Sequence, residues 1–255
     1  MKKFPALVLM VIFSVVIRGQ GTAGGNAKYE YRQLIDLPTA GILEKGFVGA
    51  TLNIMPAGVV IAKLEVGVFE NFSFGLSFGG ANVIGTGAVK WYRLPGVNLR
   101  ARILDETKSY PALTLGFDSQ GKGSYFSSLN RYEIKSPGFF VAASKNFEFL
   151  GYLSLHAVVN YSLERKDGDK DLDFGIGAEK TLGARISVIA EYDFGINDNN
   201  AAAVGKGNGY LNFGLRWSAG QGFTLGIDFR NLLENKKINS NKADRGIFVE
   251  YIKAI

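Results

Sequence analysis

The sequence predicts an all-β chain, an antiparallel up-and-down transmembrane β-barrel of about twelve strands, and three observations carry that prediction. Segments with an apolar residue at every second position recur along most of the chain. Most of them run about nine to eleven residues, the length a tilted strand needs to cross a bilayer. The connections between them alternate between short turns and longer loops, as in outer-membrane barrels with periplasmic turns and external loops.

The N-terminus comes first. Lys2 and Lys3 precede an apolar run from Phe4 to Ile17, and small residues follow at Gly19, Gly21 and Ala23. Residues 1–23 read as a secretory signal; at about fourteen residues the apolar run is too short for a spanning helix, which needs roughly twenty. Residues 24–46 are expected as a periplasmic N-terminal segment, below the barrel or at its mouth, and residues 47–255 as the barrel.

The strands follow in order. Phe47 to Met55 is a weaker candidate. Val60, Ala62, Leu64, Val66 and Val68 then oppose Lys63, Glu65 and Gly67. After a tight turn at Glu70 and Asn71, Phe72, Phe74, Leu76 and Phe78 oppose Ser73, Gly75, Ser77 and Gly79. Val97, Leu99, Ala101 and Ile103 oppose Asn98, Arg100 and Arg102, and Leu113, Leu115 and Phe117 oppose Thr114, Gly116 and Asp118. Gly138 to Lys145 is again weaker, whereas Leu153 to Leu163 alternates cleanly. The same pattern returns at Leu172–Ile176, Ile186–Phe194, Leu211–Trp217 and Phe223–Phe229, with a last candidate at Gly246 to Tyr251. One connection breaks the rule: Pro56 to Gly58 should be external and is short.

Charge decides which face meets lipid. A Lys or Arg facing lipid at mid-depth costs about 2–4 kcal/mol, and formal charges keep to the polar parity, Lys145 near a strand end being the clear exception. The apolar face is therefore assigned to lipid. The candidate lumen-lining residues are Lys63, Glu65, Arg100, Arg102, His156, Glu191, Asp193, Arg216, Asp228 and Arg230. Mixed signs in a narrow interior favour a salt-bridged plug over a selective conduit, while inward glycines at 67, 75, 175, 177, 214 and 226 pull the other way by leaving room. Many of the 19 Phe and 11 Tyr fall at strand ends, which suits interfacial girdles.

The rest of the composition narrows the function. There is no cysteine, so no disulfide, thiolate metal site or lipoprotein anchor is available, and no cofactor site is expected. The formal charge of +6 includes Lys2, Lys3 and Arg18 of the signal, so the remaining excess is too mild to point to nucleic acid. Catalysis is not expected: His156 is the single imidazole, Ser154 and Ser162 share its face, and that face is the lumen. The acidic K-D-G-D-K-D-L-D run, with Asp167, Asp169, Asp171 and Asp173, lacks the sixth-position Gly and terminal Glu of an EF-hand and reads as a solvated hairpin tip. The segment from Ala88 to Pro95, with Trp91 and Tyr92, is expected either to extend a strand or to offer an aromatic surface.

Two resemblances add to this reading. The last segment, D-R-G-I-F-V-E-Y from Asp244, places Gly246, Val249 and Tyr251 in an arrangement that resembles the assembly signal of bacterial outer-membrane barrels, although the chain continues to Ile255. It implies the barrel assembly machinery as a partner besides outer-membrane lipid. The run from Asn98 to Phe126, the F-F-V-A-A-S-K-N-F of Phe139 to Phe147 and the D-L-P-T-A of Asp36 to Ala40 resemble the YjbH family of outer-membrane proteins linked to exopolysaccharide production, here as a single-barrel short form. That resemblance implies a barrel in the bacterial outer membrane that helps polysaccharide cross or leave it, with polysaccharide or polysaccharide-export proteins as partners. A small-solute channel or a structural barrel without a polysaccharide role is the alternative.

Overall fold

The computed structural model describes residues 30–238 and 243–255; the signal assigned to residues 1–23 lies outside them. Twelve antiparallel strands close into a barrel. They are β1 (Phe47–Met55), β2 (Val59–Phe69), β3 (Phe72–Ala81), β5 (Gly96–Leu104), β6 (Ala112–Asp118), β9 (Gly138–Glu148), β10 (Tyr152–Tyr161), β11 (Asp173–Leu182), β12 (Ile186–Asp193), β13 (Tyr210–Gly220), β14 (Phe223–Arg230) and β15 (Asp244–Ala254). Three short strands stand outside the wall. β4 (Lys90–Trp91) pairs antiparallel with the end of β3, and β7 (Lys122–Phe126) pairs with β8 (Arg131–Ile134) in a hairpin of its own. Closure is made by β1 on β15, from Phe47 opposite Ala254 to Ile54 opposite Ile247. No wall strand is left with an unpaired edge, as a spanning sheet requires.

The two faces divide as their chemistry demands. Leu64, Ile103, Phe139, Ile176 and Ile227 are 62, 61, 58, 52 and 50% exposed on the outside, while Arg100, Arg216 and Arg230 are each 2% exposed within. This is an inside-out soluble protein, stable only where the outer surface meets hydrocarbon. Lys145 is not the sole outward charge: Lys180, Arg245 and Lys253 share the outward face, each towards a strand end. Lys180 Nζ donates to the carbonyls of Leu150 (2.8 Å) and Thr181 (3.0 Å), which keeps its ammonium out of the hydrocarbon.

The connections sort onto two ends. The turns at 70–71, 105–111, 149–151, 183–185 and 221–222 share the end where β1 starts and β15 finishes, and the longer loops share the other. The short external turn Pro56–Gly58 is covered by the neighbouring loop, since the amides of Asn82 and Val83 donate to Ala57 and Gly58 carbonyls at 3.0 and 2.9 Å. Gly58 has φ +62°, and an added Cβ would collide with the Ile84 carbonyl.

Candidate functional site

Residues 30–46 occupy the lumen, so the described part of the N-terminal segment lies inside the barrel and not beneath it. The chain enters at the short-turn end, rises, reverses at Asp36–Pro38 and descends to Phe47. Leu34 N–H donates to Leu37 O (3.0 Å), Thr39 N–H to Arg32 O (3.2 Å), and Gln33 bridges Pro38. Pro38 suits this reversal because its ring fixes φ and it needs no amide partner.

The wall grips this hairpin at three levels. At the tip, the Asp36 carboxylate accepts from Arg230 Nε (3.0 Å), Lys122 Nζ (2.9 Å) and Asn212 Nδ2 (3.0 Å). Burial alone would raise its pKa, but the charges of Arg230 and Lys122 outweigh burial and hold Asp36 well below the usual carboxylate range. Glu191 reaches across from β12 and accepts the amides of Ile35, Asp36 and Leu37 at 3.0, 2.8 and 3.1 Å. On the ascending leg, buried Arg32 lies between Glu65 (3.1 Å) and Glu250; burial would lower its pKa, but Glu250 and Glu65 raise it, so it stays charged. On the descending leg, Arg100 donates to the carbonyls of Thr39 (3.0 Å) and Gly41 (3.1 Å), and Arg102 and Thr114 donate to Ala40 O at 3.0 and 2.5 Å. Ala40 N–H donates to Ser144 Oγ (2.9 Å).

Apolar packing completes the fit. Leu37 packs with Phe140, Ala142 and Val158, and Leu34 and Ile35 pack with Ile189. The inward glycines do leave room, and the hairpin takes it: a Cβ at Gly67 would strike the Glu44 carbonyl, at Gly175 the Leu37 side chain, and at Gly177 the Leu34 side chain. Gly226 instead accommodates Arg216.

Described loops also fold over the other end. Arg131, wholly buried, donates to Asp167 (2.7 Å) and Asp198 (2.5 Å), Lys135 pairs with Asp167 (2.8 Å), and Tyr210 donates to Asp198 (2.7 Å). Burial would lower the Arg131 pKa, but its carboxylate partners raise it. Tyr92 and Tyr132 pack edge-on at 4.8 Å over Met55, Val59 and Ile61, and burial pushes the Tyr132 phenol up to about 12. The run at 167–173 is therefore not a solvated tip throughout. Asp167 and Asp169 are buried, and Asp169 accepts the amides of Asn199 (2.8 Å) and Asn200 (3.2 Å), because this loop folds inward over the mouth.

All ten candidate lumen residues face inward, and most touch something other than open water. Glu65, Arg100, Arg102, Glu191, Arg216 and Arg230 hold the hairpin, Arg216 through Leu34 O at 3.2 Å. Lys63 pairs with Asp118 (3.2 Å), Asp228 with Arg216 (2.5 Å), and Asp193 accepts the Gly195 amide (2.8 Å). His156 Nδ1 bonds Ser144 Oγ at 2.8 Å, so its hydroxyl partner is neither Ser154 nor Ser162. Gly246 faces inward on β15 beside Arg230, with Val249 and Tyr251 on the outward parity.

No protein-family model matches the chain, and no curated protein does. Among solved structures it is similar to the KdgM porin, with a TM-score of 0.51 and 11% identity over 80% of this chain and 98% of that one. The fold is that of an outer-membrane porin barrel. The NanC porin aligns over 82% of this chain and 99% of its own with a TM-score of 0.45 and 9% identity. Omp33 of Acinetobacter baumannii aligns over 84% and 99%, with a TM-score of 0.42 and 10% identity. With its lipid-facing apolar wall, the barrel belongs in the bacterial outer membrane.

Sequence reasoning missed Arg32, Asp36 and Lys122 as members of the site, because none lies on a wall strand. A usable signal was present. Inward glycines on β2, β11 and β13 mark a groove at backbone distance, and a charged, turn-forming segment just before β1 is the nearest chain that can fill it.

Proposed function

We propose that this outer-membrane barrel serves exopolysaccharide production or secretion and rests in a closed state, with its N-terminal hairpin as the plug. One observation carries the reading: the three separated segments that resemble the YjbH family meet at one place. The tip residues Asp36–Ala40 lie against Arg100, Arg102, Thr114 and Lys122 from the run Asn98–Phe126 and against Phe140 and Ser144 from Phe139–Phe147. The shared residues are thus the plug and its dock, a working part and not scattered wall. Deleting the gene from its native host tests this. Loss of surface polysaccharide, measured as cell-bound monosaccharide, is expected, with recovery on complementation; unchanged polysaccharide refutes it.

The second reading, a small-solute channel, is favoured by the porin fold. It requires the plug to leave under ordinary conditions. Large steady currents from the purified protein in planar bilayers, indifferent to added saccharide, would establish it. The occupied lumen instead supports a low resting conductance.

A further inference from the structure

The hairpin does not fill the lumen completely. At the short-turn end, between its two legs and the wall from β5 to β13, lies a cavity of about 450 Å³, inside the roughly 300–1,000 Å³ span of small-ligand sites. Its chemistry differs from the ion-paired lumen above. Ser154, Thr181, Ser187 and Asn146 present hydroxyl and amide groups, and Tyr31 and Tyr152 present aromatic faces with polar tips. Most of the bordering charges are in ion pairs, Arg102 with Glu30, Glu106 with Lys145 (3.3 Å) and Arg216 with Asp228 (2.5 Å), while Arg185 stands exposed on the turn at the mouth. Glu179 is hydrogen-bonded to Ser187 and Tyr31. The lining carboxylates Glu30, Glu106 and Glu179 are matched in number by the guanidinium groups of Arg102, Arg185 and Arg216, so neither sign is in excess to select an ionic guest.

We propose that this cavity binds a short neutral saccharide admitted from the periplasm. The choice of a saccharide among neutral polar guests rests on the polysaccharide reading above; the neutrality rests on the balanced charges of the lining alone. Calorimetric titration of the purified full chain in detergent, with neutral gluco-oligosaccharides and with a uronate oligomer of equal length, tests it. Saturable binding of a neutral oligosaccharide is expected, with the uronate weaker. Two variants locate the site: Ser154→Leu fills the inner wall, and Ala184→Trp obstructs the mouth from an exposed turn, so that a folding defect in the first leaves the second informative. Each is expected to weaken binding roughly tenfold or more, with folding followed by heat-modifiable gel mobility. No neutral binding, binding unchanged in a folded variant, or a preference for the uronate overturns the proposal. Absent binding together with polysaccharide loss on deletion sinks the site and spares the functional reading; binding together with unchanged polysaccharide does the reverse.

Discussion

Asp36→Asn tests the plug at its tip. The substitution keeps the shape of the side chain and its neighbour Asn212 but removes the charge that faces Lys122 and Arg230 at 2.9 and 3.0 Å. Removing one partner of a buried ion pair costs about 3–5 kcal/mol, because the remaining charge is left unpaired. Arg230 retains Asp228 at 3.1 Å, and Lys122 retains the Ile35 carbonyl, which places the loss near the lower end, about 3 kcal/mol. At about 1.4 kcal/mol per decade, the undocked population rises roughly a hundredfold. Planar-bilayer recording reads this as a rise in open probability, and limited proteolysis reads it as faster cleavage within residues 30–46. The barrel itself, built on twelve paired strands, is expected to keep its heat-modifiable mobility. Wild-type conductance together with wild-type protection of the hairpin would refute the assignment of Asp36 as the tip clamp.

Four further outcomes are expected. The Asp36 carboxyl is held below its unfolded value of about 3.9, so its contribution to docking is complete above that value and is lost as pH falls through the depressed folded pKa; conductance should stay at baseline from neutral pH down to about 5 and rise only in stronger acid. Gly67→Ala, which drives a Cβ into the Glu44 carbonyl, should cost about 1–3 kcal/mol of docking and raise proteolysis of the hairpin without unfolding the barrel. Leu64→Lys, mid-strand on the outer face of β2, should cost about 2–4 kcal/mol of folding into lipid vesicles, followed by urea titration. Arg131→Ala leaves Asp198 without a cation in the buried cap, while Asp167 keeps Lys135 at 2.8 Å, and should cost about 3 kcal/mol locally, seen as new cleavage in the loops at 162–172 and 194–209.

The wall was legible because its physics is local. A spanning strand must turn one face to hydrocarbon and cannot carry charge there, so Leu64, Leu76, Ile176 and Ile227 announce themselves by alternation alone. The interior was legible only as a set of charges. Val59, Ile61, Phe140, Val158 and Ile189 break the polar parity of their strands, and their reason lies in Leu34, Ile35, Leu37 and Tyr132, segments distant in sequence. The hairpin of β7 and β8 was hidden for a similar cause: its strands are short, and its anchors Arg131 and Lys122 look like solvated loop cations until their carboxylate partners are brought to them. Lys180 escaped notice because it follows Phe174, Ile176 and Ala178 on a clean apolar parity and only the end of β11 explains it.

Because Gly46 runs directly into the first strand, the occluding segment is leashed to the wall it occupies. A short tether keeps the hairpin at an effective concentration in the millimolar range, so resealing is unimolecular and indifferent to copy number in the membrane. A displaced segment swings home unaided. Anything that keeps the passage open must therefore compete for the dock continuously, and a single transient tug would be undone as soon as it ceased.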